Sequence, residues 1–176
     1  TEKDVPLLLR LIKGLAEYEK LTDQVTATED RLRELLFGGR PTAEAIIGYV
    51  DAQPAGFALF FHNCSTFLGQ RGLYLGDLFI LPEWRGRGFG RDLLARVARI
   101  AVERQCARME WSVLNWNEPA IGFYRRLDAR AMDEWTTYRL TGAHTDVPCA
   151  SCHLAARLNP RVGADGAKIP VFKPVS

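Results

Sequence analysis

Arg85-Gly86-Arg87-Gly88-Phe89-Gly90 decides how this sequence folds. On its N-terminal side runs Gly72–Ile80 (GLYLGDLFI), an apolar stretch closed by Leu81-Pro82 that reads as a strand. On its C-terminal side Leu93, Leu94, Val97, Ile100 and Ala101 recur at helical spacing as far as Arg104. At such a strand-to-helix junction, glycines let successive backbone N–H groups close on one anion, and the helix N-terminus adds a partial positive charge. A pyrophosphate fits such a nest. Arg85, Arg87 and Arg91 can add charge to phosphate oxygens, and Arg96 and Arg99 continue the basic face. By itself the stretch also fits a tight turn leading into a solvated basic helix face. Two other anion loops do not fit. The sequence has no G-x-x-x-x-G-K-[ST]. A dinucleotide-binding turn would follow the first strand of a repeating βαβ domain, with an acidic ribose contact roughly 20 residues on; here several elements come first, and Glu110, at that distance, lies in a strand.

Outward from the turn, Leu7, Leu8, Leu11, Ile12, Leu15 and Tyr18 mark an amphipathic helix over Glu2–Lys20, with Thr1 and Asp4 as its capping box. A second helix starts after Thr28 and stops at Gly38-Gly39. Ala45–Val50 and Ala55–His62 read as strands around the turn Asp51-Ala-Gln-Pro54. Met109–Leu114 reads as a short strand, Glu118–Arg126 as a helix after Asn117, and Ala131–Leu140 as part of a strand pair. The order α-α-β-β-β-α-β-α-β is that of a mixed α/β domain with a parallel crossover between the strands at 72–80 and 109–114. After Thr141 the periodicity fades into Gly, Pro, Asn and Asp. The expected organisation is therefore one domain over 1–140 and an irregular or disordered tail over 141–176.

A chain of 176 residues suits one domain, and 47% apolar with 25% charged residues is a globular composition. No apolar run reaches the roughly 20 residues needed to span a bilayer, and no export signal is visible. The net charge of +2 lies wholly after Leu140, where Arg157, Arg161, Lys168 and Lys173 face Asp146 and Asp165. A balanced body lacks the sustained basic surface that broad binding to nucleic acid or membrane requires. Four scattered cysteines make no disulfide scaffold, so a cytoplasmic location is expected. Cys149-Ala-Ser-Cys152-His153 has the c-type haem attachment spacing, yet no Met or His follows it to serve as a second axial ligand. An incidental tail sequence or a partial zinc site are the other readings of that stretch.

The R-x-x-G-x-G of Arg85–Gly90 between a strand and an amphipathic helix resembles the acetyl-CoA pyrophosphate loop of the GNAT superfamily of N-acetyltransferases. Leu11-Ile-Lys-Gly-Leu-Ala-Glu-Tyr-Glu19, Tyr74-Leu-Gly-Asp77 and Trp116-Asn-Glu-Pro-Ala-Ile-Gly-Phe-Tyr124 are similar to its diamine (spermidine/spermine or thialysine) acetyltransferase branch. The resemblance spans about Thr1 to Leu140, with four motifs in order. It implies a mixed, mainly antiparallel sheet with a splayed parallel strand pair and flanking helices, and an N-terminal strand that this chain lacks. It also implies a homodimer, acetyl-CoA as cosubstrate, no metal, and a small amine as acceptor. Position by position, Arg85, Gly86, Arg87, Gly88, Phe89 and Gly90 would hold the pyrophosphate. Leu78 and Ile80 would pair with the pantetheine arm, and Asn117 would touch it from the other side. Tyr124 would protonate the departing thiolate; the plainer reading of Tyr124 is a core residue beside Phe123.

One position departs from that branch, where the residue before the strand Asp is commonly a Glu that draws a proton from the acceptor amine. Here it is Gly76. Loss of a general base costs roughly 10²–10⁴-fold, so the chain is expected either to acetylate a primary amine of a small polyamine or amino-acid-like acceptor by direct attack in a ternary complex, or to bind acetyl-CoA with weak or no catalysis. Strand alternation is expected to turn the neighbouring Asp77 to the opposite face. Glu17 and Glu19 are candidate replacements, or simply an exposed helix face.

Overall fold

The computed structural model describes residues 1–139. Residues Thr1–Arg126 form one unit, and residues 127–139 belong to a second, described by itself. The tail from 141 on, with Cys149, Cys152 and His153, lies outside the described residues.

Thr1 and Asp4 do form a capping box, with the Thr1 amine donating to Asp4 Oδ2 at 2.9 Å, over a single 3-10 turn. Helix α1 (Val5–Tyr18) follows, with Pro6 in its first turn where the missing N–H costs nothing. Helix α2 (Glu29–Phe37) is capped by Thr28, whose Oγ1 accepts from Arg31 N at 3.3 Å. Strands β1 (Glu44–Val50) and β2 (Gln53–Ser65) are joined at Asp51 and Ala52, with φ 47° and 63°. Two successive left-handed residues make the tight turn whose twist matches the flanking strands. Strand β3 (Gln70–Ile80) leads through the glycine turn into α3 (Phe89–Glu103), and the chain returns as β4 (Met109–Trp111) before α4 (Glu118–Arg125).

The sheet order is β1-β2-β3-β4, antiparallel except for the parallel pair β3/β4. This is an α/β fold with one mixed sheet flanked by helices. Alternation along β2 and β3 sorts the core into two layers. Ala58, Phe60, Leu73 and Leu75 pack with Leu93, Leu94, Val97, Ile100 and Ala101 of α3. Phe57 and Phe79 face the other way, onto Leu8 and Leu11 of α1. Among the described residues no helix is long and apolar enough to cross a membrane.

Two expectations need correction. β4 stops at Trp111 instead of reaching Leu114, because its pairing with β3 ends at Leu75↔Trp111. Residues 131–139 contain no strand, only a turn in which Trp135 N donates to Met132 O at 3.1 Å. Strand geometry persists where a ladder supplies partners for its peptide groups, and alternating apolar residues do not create that ladder.

Candidate active site

The short parallel ladder has a consequence for β3. Only Leu73–Leu75 pair with β4, so the stretch from Gly76 to Ile80 has no strand partner on that edge among the described residues. Leu81 N donates to Ala55 O of β2 at 2.9 Å. Peptide groups alternate sides along a strand, so those of Leu78 and Ile80 point away from β2, into the opening between β3 and β4. An extended ligand can complete the sheet there.

The opening leads to the glycine turn. Gly86 and Gly88 have φ of 73° and 90°, values that L side chains rarely adopt, and a Cβ at either would meet nothing within 4 Å. These glycines serve the backbone path and leave it open to approach. The first bond of α3 runs from Asp92 N to Gly88 O at 3.1 Å, so the amides of Gly88, Phe89, Gly90 and Arg91 have no intrahelical acceptor. Four donors at the positive end of a helix suit a diphosphate. The arginines lie less simply. Arg87 sits over the Trp84 ring at 5.1 Å, while Arg85 is folded back over Tyr18 at 4.5 Å and Phe79 at 5.5 Å. Arg85 Nε donates to Ile80 O at 2.8 Å, one of the groups that faces the opening.

On the far side of the opening stands α4. Asn117 is 6% exposed and caps it, with Oδ1 accepting from Ala120 N at 3.3 Å and from the Tyr18 hydroxyl at 3.0 Å. Both acceptor positions are therefore used internally, and among the described residues its Nδ2 makes no hydrogen bond. Tyr124, two turns along α4, packs its ring against Trp111 at 5.0 Å and Phe123 at 5.2 Å. Burial raises its phenol above the ordinary value, and the charge of Glu19 adds to the effect. Tyr124 therefore holds its proton at neutral pH.

Sequence reasoning misplaced Asp77. Phe60 pairs with Leu75 and Leu59 with Asp77, so Gly76 is an extra residue in β3, a β-bulge. The bulge resets alternation. Leu75 and Leu78, three apart, both pack on the α3 side, while Asp77 falls in step with Phe79 on the α1 side. A Cβ at Gly76 would approach Leu59 Cδ2 at 3.3 Å and Phe61 at 3.9 Å, and Leu59 packs on the α1 side too. Gly76 and Asp77 thus share a face. Burial raises the Asp77 carboxyl. Glu19, at the C-cap of α1, is raised by burial and then by the charge of Asp77, which places the two carboxylates in one another's field. Glu17 remains exposed on the helix surface. The one local signal for this arrangement was a glycine inside a strand, which often marks a bulge.

A profile of the acetyltransferase (GNAT) family matches residues 11–129. The chain belongs to this family. GNAT acetyltransferases use acetyl-CoA as cosubstrate, and the free peptide edge, open glycine turn and α3 amides fit that molecule. The thialysine N-epsilon-acetyltransferase of Sus scrofa is 36% identical over 152 residues, which cover 80% of this chain and 89% of that protein. The L-ornithine N5-acetyltransferase NATA1 of Arabidopsis thaliana is 32% identical over 187 residues, covering 81% and 82%. Among solved structures, an integron cassette protein from the mobile metagenome of V. cholerae superposes with TM-score 0.67 at 24% identity over 88% of this chain and 90% of that one. An aminoglycoside acetyltransferase from a soil metagenome gives TM-score 0.68 at 16% identity, covering 80% and 91%, a likeness of fold alone.

Proposed function

We propose that this GNAT acetyltransferase moves the acetyl group of acetyl-CoA to a primary amine of a small polyamine or amino-acid-like acceptor, by direct attack of the amine on the thioester within a ternary complex. The observation that carries the reading is the continuous path from the α3 amides, along the unpaired edge of β3, to the opening bounded by Tyr124. The amides of Gly88 to Arg91 bind the pyrophosphate. The peptide groups of Leu78 and Ile80 pair with the pantetheine arm, Ile80 O sharing its second lone pair beside the Arg85 bond, and Asn117 Nδ2 donates from the opposite wall. Tyr124 holds the proton that the leaving sulfur receives. The curated relatives that act on thialysine and ornithine support an acceptor with a free primary amine.

Calorimetry with CoA and acetyl-CoA, followed by thiol release with diamines, polyamines, thialysine, ornithine and aminoglycosides, tests this directly. Binding together with thiol release for at least one amine is expected. No CoA binding at millimolar ligand by folded protein would sink the proposal. Binding with background thiol release for every amine would leave a cofactor-binding module, the reading that the missing side chain at Gly76 favours.

A further inference from the structure

Tyr18, the last residue of α1, touches groups on both walls of the opening. Over its ring lies the Arg85 guanidinium at 4.5 Å, from the turn that follows β3, and Arg85 Nε in turn donates to Ile80 O at 2.8 Å. On the α4 side the Trp116 ring stands 6.0 Å away, and the Tyr18 hydroxyl donates to Asn117 Oδ1 at 3.0 Å, a contact between residues 99 apart in sequence. We propose, resting on the acetyltransferase reading, that Tyr18 is a positioning residue, whose hydroxyl fixes the Asn117 amide so that Nδ2 faces the pantetheine arm of acetyl-CoA.

An N-cap asparagine needs only its carbonyl oxygen, and here Oδ1 accepts from Ala120 N at 3.3 Å, a long bond. Rotation about the last side-chain bond of Asn is soft, so one long bond lets the amide plane swing. The Tyr18 hydroxyl supplies a second, shorter bond to the same oxygen from a different helix. With both lone pairs taken, one from α4 and one from α1, the plane is set. A flipped amide would put Nδ2 against the Ala120 N–H, donor facing donor. Nδ2 is left turned away from the two groups that bond the oxygen. Among the described residues it has no partner, although Asn117 is only 6% exposed. Buried donors are almost always bonded, and the two amide carbonyls of a pantetheine arm are acceptors of the kind this one lacks.

The hydroxyl can serve as a reference point because the ring that carries it is held. Its body packs on the layer of Leu8, Leu11, Phe57 and Phe79, and a cation over an aromatic face adds attraction of its own. The Trp116 ring closes the α4 side.

The test is calorimetry with two ligands: acetyl-CoA, and ADP, which keeps the diphosphate and lacks the arm. Tyr18→Phe keeps the ring and removes one oxygen. It should weaken acetyl-CoA binding about three- to tenfold, the worth of one hydrogen bond, and leave ADP affinity and the thermal midpoint unchanged. In steady state the loss should appear in KM for acetyl-CoA and not in KM for spermidine. Asn117→Asp keeps an oxygen for Ala120 N and for Tyr18 but exchanges the donor for an acceptor. By itself it should weaken acetyl-CoA binding about tenfold or more, and adding Tyr18→Phe to it should cost nothing further. A Tyr18→Phe loss below threefold overturns the proposal, and so does an equal loss for ADP, which would show a displaced wall. A full second loss in the Asn117→Asp background overturns it too, because the hydroxyl would then act elsewhere. Should Asn117→Asp not fold, the contrast between acetyl-CoA and ADP in Tyr18→Phe decides alone. If wild type binds no acetyl-CoA, the acetyltransferase reading falls and takes this one with it; if wild type binds it and Tyr18→Phe binds it equally, this one falls alone.

Discussion

Burial pushes both Tyr124 and Asp77 toward their protonated forms, and the two side chains answer with opposite consequences. For Tyr124, the proposed proton donor, the shift keeps the phenol protonated at neutral pH. Tyr124→Phe retains the ring contacts with Trp111 and Phe123, so steady-state kinetics should show kcat falling by roughly 10²–10⁴-fold while calorimetry finds CoA affinity unchanged. For Asp77 the shift opposes folding at neutral pH. A carboxyl whose folded pKa is raised favours the folded state while protonated, and that advantage is lost as pH rises through the folded value. Asp77→Asn should therefore unfold at a higher temperature than wild type at pH 8 and show no gain near pH 3, where both side chains are neutral; a lower midpoint at pH 8 would contradict the sign. Tyr124 became a candidate from its place in Trp116-Asn-Glu-Pro-Ala-Ile-Gly-Phe-Tyr124. The face of Asp77 was not legible, because alternation presumes an unbroken register and a bulge breaks it by a single residue.

The turn into α3 is the element whose local backbone and proposed function coincide. Gly88 combines φ 90° with open space beyond its Cα, so Gly88→Ala clashes with no neighbour and instead strains the backbone by about 1–2 kcal/mol. The added methyl also stands where a pyrophosphate would approach. Thermal unfolding should show that modest cost, and calorimetry should show CoA affinity reduced about tenfold or more, equivalent to about 1.4 kcal/mol. Gly90→Ala is the control: its φ is not left-handed and its Cβ would make ordinary contact with Ile80 Cγ1 at 3.7 Å, so stability should not fall. Elements with strong internal periodicity, such as α1, α3 and β3, were legible in outline from sequence. β4 and residues 131–139 were misjudged because a strand's extent is set by its neighbour. The β2/β3 hairpin errs in the other direction. Its ladder continues to Ser65↔Gln70, beyond the apolar pattern, and ends in a tip where Phe67 is 95% exposed.

At the scale of the whole molecule, the candidate residues from Tyr18 to Tyr124 all fall within Thr1–Arg126, while residues 127–139 carry a different kind of feature. Met132, Trp135 and Tyr138 are 59%, 70% and 90% exposed, a concentration of large apolar side chains that a solvated segment gains nothing by displaying. Resemblance to the diamine acetyltransferases leads to the expectation of a homodimer, and these residues are the natural candidates for its contact, since Trp and Tyr contribute large area with few rotamers to freeze. Sedimentation equilibrium of the full chain at tens of micromolar should give twice the mass of 19.8 kDa. Trp135→Ser combined with Tyr138→Ser should shift it to monomer while CoA affinity stays within tenfold of wild type. A full chain that sediments as a monomer would refute the dimer. A double variant that remains dimeric would move the contact to another surface, and one that loses CoA binding along with the partner would show that the acetyl-CoA site depends on assembly.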